Sequence, residues 1–389
     1  MHRIRMVAMV LLTWLCASPA LAAPPAYATA ERIAAALNAR DAAALSALID
    51  TRALARRAFA DIDLGSPQRA DAERGVANGM QQTVQNLIAR IERDHGTAMA
   101  LRGAADTDSR SAIVRIIMRD ADDNYAGSDY LVFDLDRRGR IVDWTSHATG
   151  LRMSATLGRL LSTLLDERGV IARLFGRMQV DADALATMRE IGERTRAADP
   201  AAVYTLLERL PAAFRATADW AALRVNAASQ LDEARYRDSL EHVARHHGED
   251  ARFTFMLVDH HVYRKDYPRA LAAVARMERQ VAADGLTRYL ACGIELEAEH
   301  PGPARSACSE GIRREPALKD NWWLLIGMAN QQHDAALTLD TLSAYERQFD
   351  MAFDPDALVK LEAYRWLAGN ERFESWAAAR RDDPAGTTH

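Results

Sequence analysis

Hydrophobic residues in this chain change period twice, and that change limits the fold more than any other feature. Up to about residue 96 the apolar positions recur at helical spacing. Ile33 and Leu37 share one face, and Val76, Met80, Val84, Leu87, Ile88 and Ile91 form a longer stripe. From Ser109 to Ala148 the period falls to two. Ala112, Val114, Ile116 and Met118 alternate with Ile113, Arg115, Ile117 and Arg119, and Leu131, Phe133 and Leu135 alternate with Tyr130, Val132 and Asp134. From Leu151 the strand signal stops and helical spacing returns. A helical block, a short antiparallel meander and a long helical tail follow. The fold class is an α+β domain, with helices packed on the meander, leading into an all-α array.

The boundaries carry their own chemistry. Asp41 can cap a second helix, Pro67 suits the first turn of the long helix, and Gly96 marks its stop. Asp136-Arg137-Arg138-Gly139 predicts a tight hairpin turn into a strand over 140–148, with Val142 and Trp144 on one face. A weaker strand is expected at Thr97–Gly103. Beyond Leu151, Leu157, Leu160, Leu161 and Leu164 predict a helix, and 171–178 a short connector. Asp199-Pro200 and Asp354-Pro355 both read as a cap followed by a first-turn proline.

At the N-terminus, Arg3 and Arg5 precede the apolar run Met6–Leu15, and Ala20-Leu21-Ala22 supplies a small-residue cleavage site. These are the three parts of a secretory signal, so residues 1–22 are expected to be removed and the mature chain to be periplasmic. No second apolar run is long enough to span a membrane. Losing Arg3 and Arg5 moves the formal charge from −5 to −7, and that balance gives no footprint for nucleic acid. The expected divisions are a signal at 1–22, an α+β domain at 23–176 and a helical-repeat region at 177–389.

Spacing in the tail is informative. Tyr267-Pro268-Arg269-Ala270, Ala304 placed 34 residues after Ala270, Pro316, and Trp323-Leu324-Leu325-Ile326-Gly327 follow one register. Phe373 and Trp376 fit a degenerate last unit, and Trp220 to Gly248 a degenerate early one. This pattern, over about 217–380, resembles tetratricopeptide repeats, although Arg224 or Ala227 stands at the expected Gly position of the early unit and Leu339 at the expected Ala position of the Trp323 unit. The resemblance implies stacked helix pairs forming a superhelix whose concave face holds a protein or peptide partner. Over about 27–150, the element order, the Asn38-Ala39-Arg40-Asp41 break and the strand–turn–strand hairpin resemble the nuclear transport factor two-like (cystatin-like) cone. That likeness implies a cavity for a small apolar ligand or, with Asp143 or His147 inside, a proton-transfer enzyme.

The chemical candidates are few. Cys292 and Cys308 fall on the two helices of one expected pair, and an exported chain makes a disulfide between them reasonable. Asp143 and His147 share a strand face, whereas Tyr130 and Asp134 are expected to point to solvent. His242 and His246 are four apart, with His247 and the His260-His261 pair nearby, but no acidic or Cys ligand stands at a recognised spacing. They read as polar residues on solvated helix faces. Asp120-Ala121-Asp122-Asp123-Asn124 reads as a solvated hairpin loop, and Trp322-Trp323 as repeat core. There is no Walker loop, G-x-S-x-G, H-E-x-x-H or C-x-x-C. The expectation is therefore a non-enzymatic interaction protein with no metal and no cofactor.

Overall fold

The computed structural model describes residues 25–60, 66–105, 110–164 and 182–381. The leader, the connector expected at 171–178 and the boundary at 176/177 lie outside the described residues. The first part runs α1 (Pro25–Asn38), α2 (Ala42–Ala47), α3 (Thr51–Ala58) and α4 (Ser66–Arg93). It continues with β1 (Thr97–Ala105), β2 (Arg110–Arg119), β3 (Tyr125–Leu135), β4 (Ile141–Ser146) and α5 (Met153–Leu164). The strands form one antiparallel sheet in the order β1-β2-β3-β4. The Asp136 carboxylate accepts from the Arg138 and Arg140 amides, and Gly139 takes the left-handed conformation (φ 76°) that closes the β3–β4 turn.

One sheet face carries the expected alternation. Ala112, Val114, Ile116, Leu131, Phe133, Leu135 and Trp144 pack with Ile33 and Leu37 of α1 and Met80, Val84, Ile88 and Ile91 of α4. The backbone of α1 comes so close to β1 that a Cβ on Gly103 would stand 2.1 Å from the Tyr27 amide nitrogen, so this position needs glycine.

The tail is helical throughout its described length. It comprises α6 (Ala182–Arg196), α7 (Pro200–Arg209), α8 (Ala212–Arg215), α9 (Ala218–Ala228), α10 (Glu233–His247), α11 (Thr254–Tyr263), α12 (Tyr267–Gln280), α13 (Gly285–Glu297), α14 (Pro301–Arg314), α15 (Lys319–Gln331), α16 (Ala335–Phe349), α17 (Pro355–Leu358) and α18 (Glu371–Arg381). Short 3₁₀ turns at Ala251–Phe253 and Glu362–Leu367 interrupt it. Asp199 and Asp354 accept backbone N–H groups at the starts of α7 and α17, each followed by proline at the first helical position. Cys292 of α13 and Cys308 of α14 are disulfide-bonded, with Cα atoms 5.3 Å apart. Among the described residues, no helix is long and apolar enough to cross a membrane.

The second sheet face departs from expectation. Tyr130 does not point to solvent: it is fully buried. With Ile113, Ile117 and Val132 it packs against Phe255, Met277, Val281, Leu286, Tyr289, Leu290 and Leu318 of the helical tail. The sheet is therefore covered on both faces, by the N-terminal helices on one and by the tail on the other. Asp134, which shares this face, is half-exposed and ion-paired with Arg57 and Arg152.

Candidate partner-binding surface

The seam between sheet and tail buries a cluster of charged groups. Arg115, on the second face of β2, donates to Asp284 Oδ2 at 2.7 Å and to the Glu315 oxygens at 2.8 and 2.5 Å. Its side chain is 3% exposed, that of Asp284 6% and that of Glu315 15%. Asp284 also caps α13 by accepting from the Thr287 amide, and it accepts the Tyr130 hydroxyl at 3.1 Å. Burial alone would pull the Arg115 guanidinium pKa down. The hydrogen bond to Glu315 and the charges of Asp284 and Glu315 raise it, and the net shift is upward. Burial, reinforced by Asp284, pushes the Tyr130 phenol well above its ordinary range. Gly285 makes room: a Cβ there would stand 2.6 Å from the Glu315 side chain.

One turn further along β2, Arg119 pairs with Asp320 at 2.8 Å. The loop expected to be solvated does two jobs. Asp120 accepts from the Asp122 and Asn124 amides and so shapes the turn, while Asp123 reaches Lys319 at 2.8 Å. The β2–β3 hairpin tip is thereby tied to the first turn of α15.

Aromatic residues mark the same surface. Phe255, Tyr289 and Trp323 stand at 34-residue intervals, in the N-terminal halves of α11, α13 and α15. Tyr130 meets Phe255 edge-on with ring centroids 6.3 Å apart, and Tyr125 meets Tyr289 at 5.4 Å. Burial pushes the Tyr125 phenol up to about 12. Trp323 stands next in the row. It lies three residues after Asp320, hence on the same side of α15. It contacts Tyr345 at 5.0 Å and Phe353 at 6.1 Å, and at 43% exposure it is the most open ring of the three. Of the two tryptophans read as core, only Trp322 is buried, its indole N–H donating to the Pro316 carbonyl at 2.9 Å. Met351, in the turn after α16, is also exposed, at 39%.

Outside the row, Tyr236 of α10 donates to Asp259 of α11 at 2.8 Å and stacks edge-on with the exposed Tyr263. Asp259 is reached by solvent, yet desolvation raises its carboxyl pKa, which the Tyr236 bond only partly offsets.

The other expected candidates sit elsewhere. Asp143 is fully buried and fully engaged. Oδ1 accepts from the Trp144 and Ser154 amides, and Oδ2 from Arg152 Nε and the Ser154 hydroxyl, both at 2.6 Å. With its oxygens so occupied, it holds the start of α5 in place. His147 is buried at the edge of the seam, and its Nδ1 has no hydrogen-bond partner. Burial lowers its pKa to about 4, against a small opposing pull from Asp250.

His242 is half-buried beside the exposed His246. Its ring lies edge-on to Trp220 at 5.0 Å and 4.6 Å from His246, in a cavity of about 510 Å³ that Glu208, Asp238, Arg215, Arg224 and Arg245 also line. Burial, then His246, lowers its pKa to about 4. Among the described residues, no group of three His, Cys, Asp or Glu side chains is placed to hold a metal.

A groove of about 800 Å³ runs across α12, α13 and α14, floored by Leu271, Val274, Ala291 and Ala307. Its arginines are already paired, Arg288 with Glu278, and Arg313 and Arg314 with Glu310.

The 34-residue aromatic row is a signal that reading for helices and strands one at a time does not reveal, because each member looks like a core residue of its own helix. Comparison with protein-family models, with curated proteins and with solved structures gives no match to this chain.

Proposed function

We propose that this chain is an exported, non-enzymatic interaction protein whose helical tail, a tetratricopeptide-like superhelix, binds a segment of a protein partner on its concave side. The observation that carries the reading is the aromatic row. Its first two members, Phe255 and Tyr289, already bind polypeptide, namely the chain's own sheet, while the third, Trp323, is open. A large aromatic, partly exposed and backed by packed rings, is the type of residue that anchors protein interfaces. The α+β part acts as a brace, closing one stretch of the tail's surface and defining where the open stretch begins. A catalytic reading draws less support, because Asp143 is saturated by four hydrogen-bond donors.

Selection of a displayed random-peptide library on the immobilised full chain tests the proposal. Enriched peptides are expected to lose binding at least tenfold to the Trp323→Ala variant, as truncating an anchor that contributes about 2 kcal/mol implies. Enrichment of peptides that bind the variant equally well, or no enrichment, sinks the proposal.

A further inference from the structure

We infer that the segment docking at Trp323 carries arginine or lysine together with aromatic side chains on one face. This inference rests on the proposed binding role and names the chemistry of the partner.

The argument comes from what the same surface already accepts. At each occupied step the tail offers an acid near the start of a helix and an aromatic ring beside it, and the sheet answers with an arginine and a tyrosine. Asp284 takes Arg115 while Phe255 meets Tyr130. Asp320 takes Arg119 while Tyr289 meets Tyr125. The acids recur at nearly the spacing of the row: Asp320 follows Asp284 by 36 residues, and Asp354 follows Asp320 by 34. At the open step the ring is Trp323, in contact with Phe353, and the acids are Asp354 and Asp350, which flank Phe353 in the turn between α16 and α17.

Arg119, the sheet cation close enough to act on Tyr345, is held by Asp320. The Asp354 carboxylate accepts the Asp356 amide, and the nearby Arg381 is held by Asp356. Lys319, whose ammonium lies 5.7 Å over Phe349, is held by Asp123. An acidic, aromatic surface continuous with an interface that recognises arginine and tyrosine is complementary to a cationic, aromatic segment. An extended chain would place such residues at every second position to keep them on one face.

Three fluorescein-labelled peptides test this by anisotropy at low salt against the full chain. One has Arg and Tyr at alternate positions with Ser between them; in the second Asp replaces Arg, and in the third Ser replaces Arg. The Arg peptide is expected to bind about tenfold tighter than the Asp peptide, since like charges at a rim repel as opposite ones attract. The double variant Asp350→Asn/Asp354→Asn keeps a capping side chain at the start of α17. It should bring the Arg peptide to the level of the Ser peptide and leave the Ser peptide unchanged. Equal or tighter binding of the Asp peptide, or an Arg peptide indifferent to the double variant, overturns the inference while Trp323-dependent binding keeps the underlying role. If Trp323→Ala weakens none of the three, the binding role itself fails.

Discussion

Replacing Arg115 by methionine removes the cation that Asp284 and Glu315 share in the seam and leaves those two carboxylates without it. Asp284 and Glu315 lie within 2.8 Å of the guanidinium and are almost excluded from water. Breaking a buried ion pair by deleting one member costs about 3–5 kcal/mol, because the remaining charge stays desolvated. In a chain of 389 residues each kcal/mol corresponds to about 1.2 °C in Tm, so a fall of about 4–6 °C is expected. The triple variant Arg115→Met/Asp284→Asn/Glu315→Gln strands no charge. Asparagine still caps α13 and still accepts the Tyr130 hydroxyl. The triple variant should therefore recover at least about 2 kcal/mol of the single variant's loss. Urea unfolding followed by far-ultraviolet circular dichroism and by tryptophan fluorescence reads both values. A single variant within about 1 kcal/mol of the parent, or a triple variant no better than the single, would refute the reasoning that this network lies buried between sheet and tail.

Two further outcomes follow from named groups. His147 is held neutral, with its folded pKa at about 4 against about 6.5 when unfolded. The unfolded chain binds more protons between those values, so stability falls as pH drops from about 6.5 to 4, by about 3 kcal/mol for this group. His147→Gln should flatten that part of a stability–pH profile, and a profile with unchanged slope would show that His147 is not buried neutral. For the Cys292–Cys308 bond, 16 residues apart, Cys292→Ala/Cys308→Ala should lower unfolding free energy by about 3 kcal/mol, measured by denaturant titration. Dithiothreitol should lower the parent's stability but not the variant's; equal sensitivity in both would contradict the bond's contribution.

Local elements were legible because their causes are local. Period-two alternation in Ser109–Met118 and Tyr130–Asp136 marks β2 and β3, and the weaker Thr97–Gly103 signal is β1. Asp41, Asp199 and Asp354 cap helices where a short acidic side chain precedes an apolar run. Even here the details shift. At the end of α4 the left-handed residue is His95 (φ 43°), one before Gly96, whose amide returns to the Ile91 carbonyl at 2.6 Å. The stop is a Schellman-type closure with the glycine one position later than its usual place.

The covering of the second sheet face was not legible. Its partners stand 169 and 200 residues away in sequence, at Asp284 and Glu315. A signal was present in the run Ala112-Ile113-Val114-Arg115-Ile116-Ile117, which is apolar on both faces apart from one arginine. A half-exposed strand does not need Ile113 and Ile117 opposite Val114 and Ile116. Tyr130 reads as a solvent residue only when the Leu131, Phe133 and Leu135 face is weighed alone. Trp323 is the converse case: its periodicity matches a core position, yet it is exposed.

Oxidative footprinting of the intact chain tests the central claim most directly, because it reads covered and open members of the aromatic row together. Trp323 is expected to react readily, while Tyr130 is protected by at least tenfold relative to its intrinsic reactivity and Tyr289 and Phe255 fall between. Rapid oxidation of Tyr130, or protection of Trp323 in the free chain, would contradict an account in which the sheet covers two steps of the row and leaves the third for a partner.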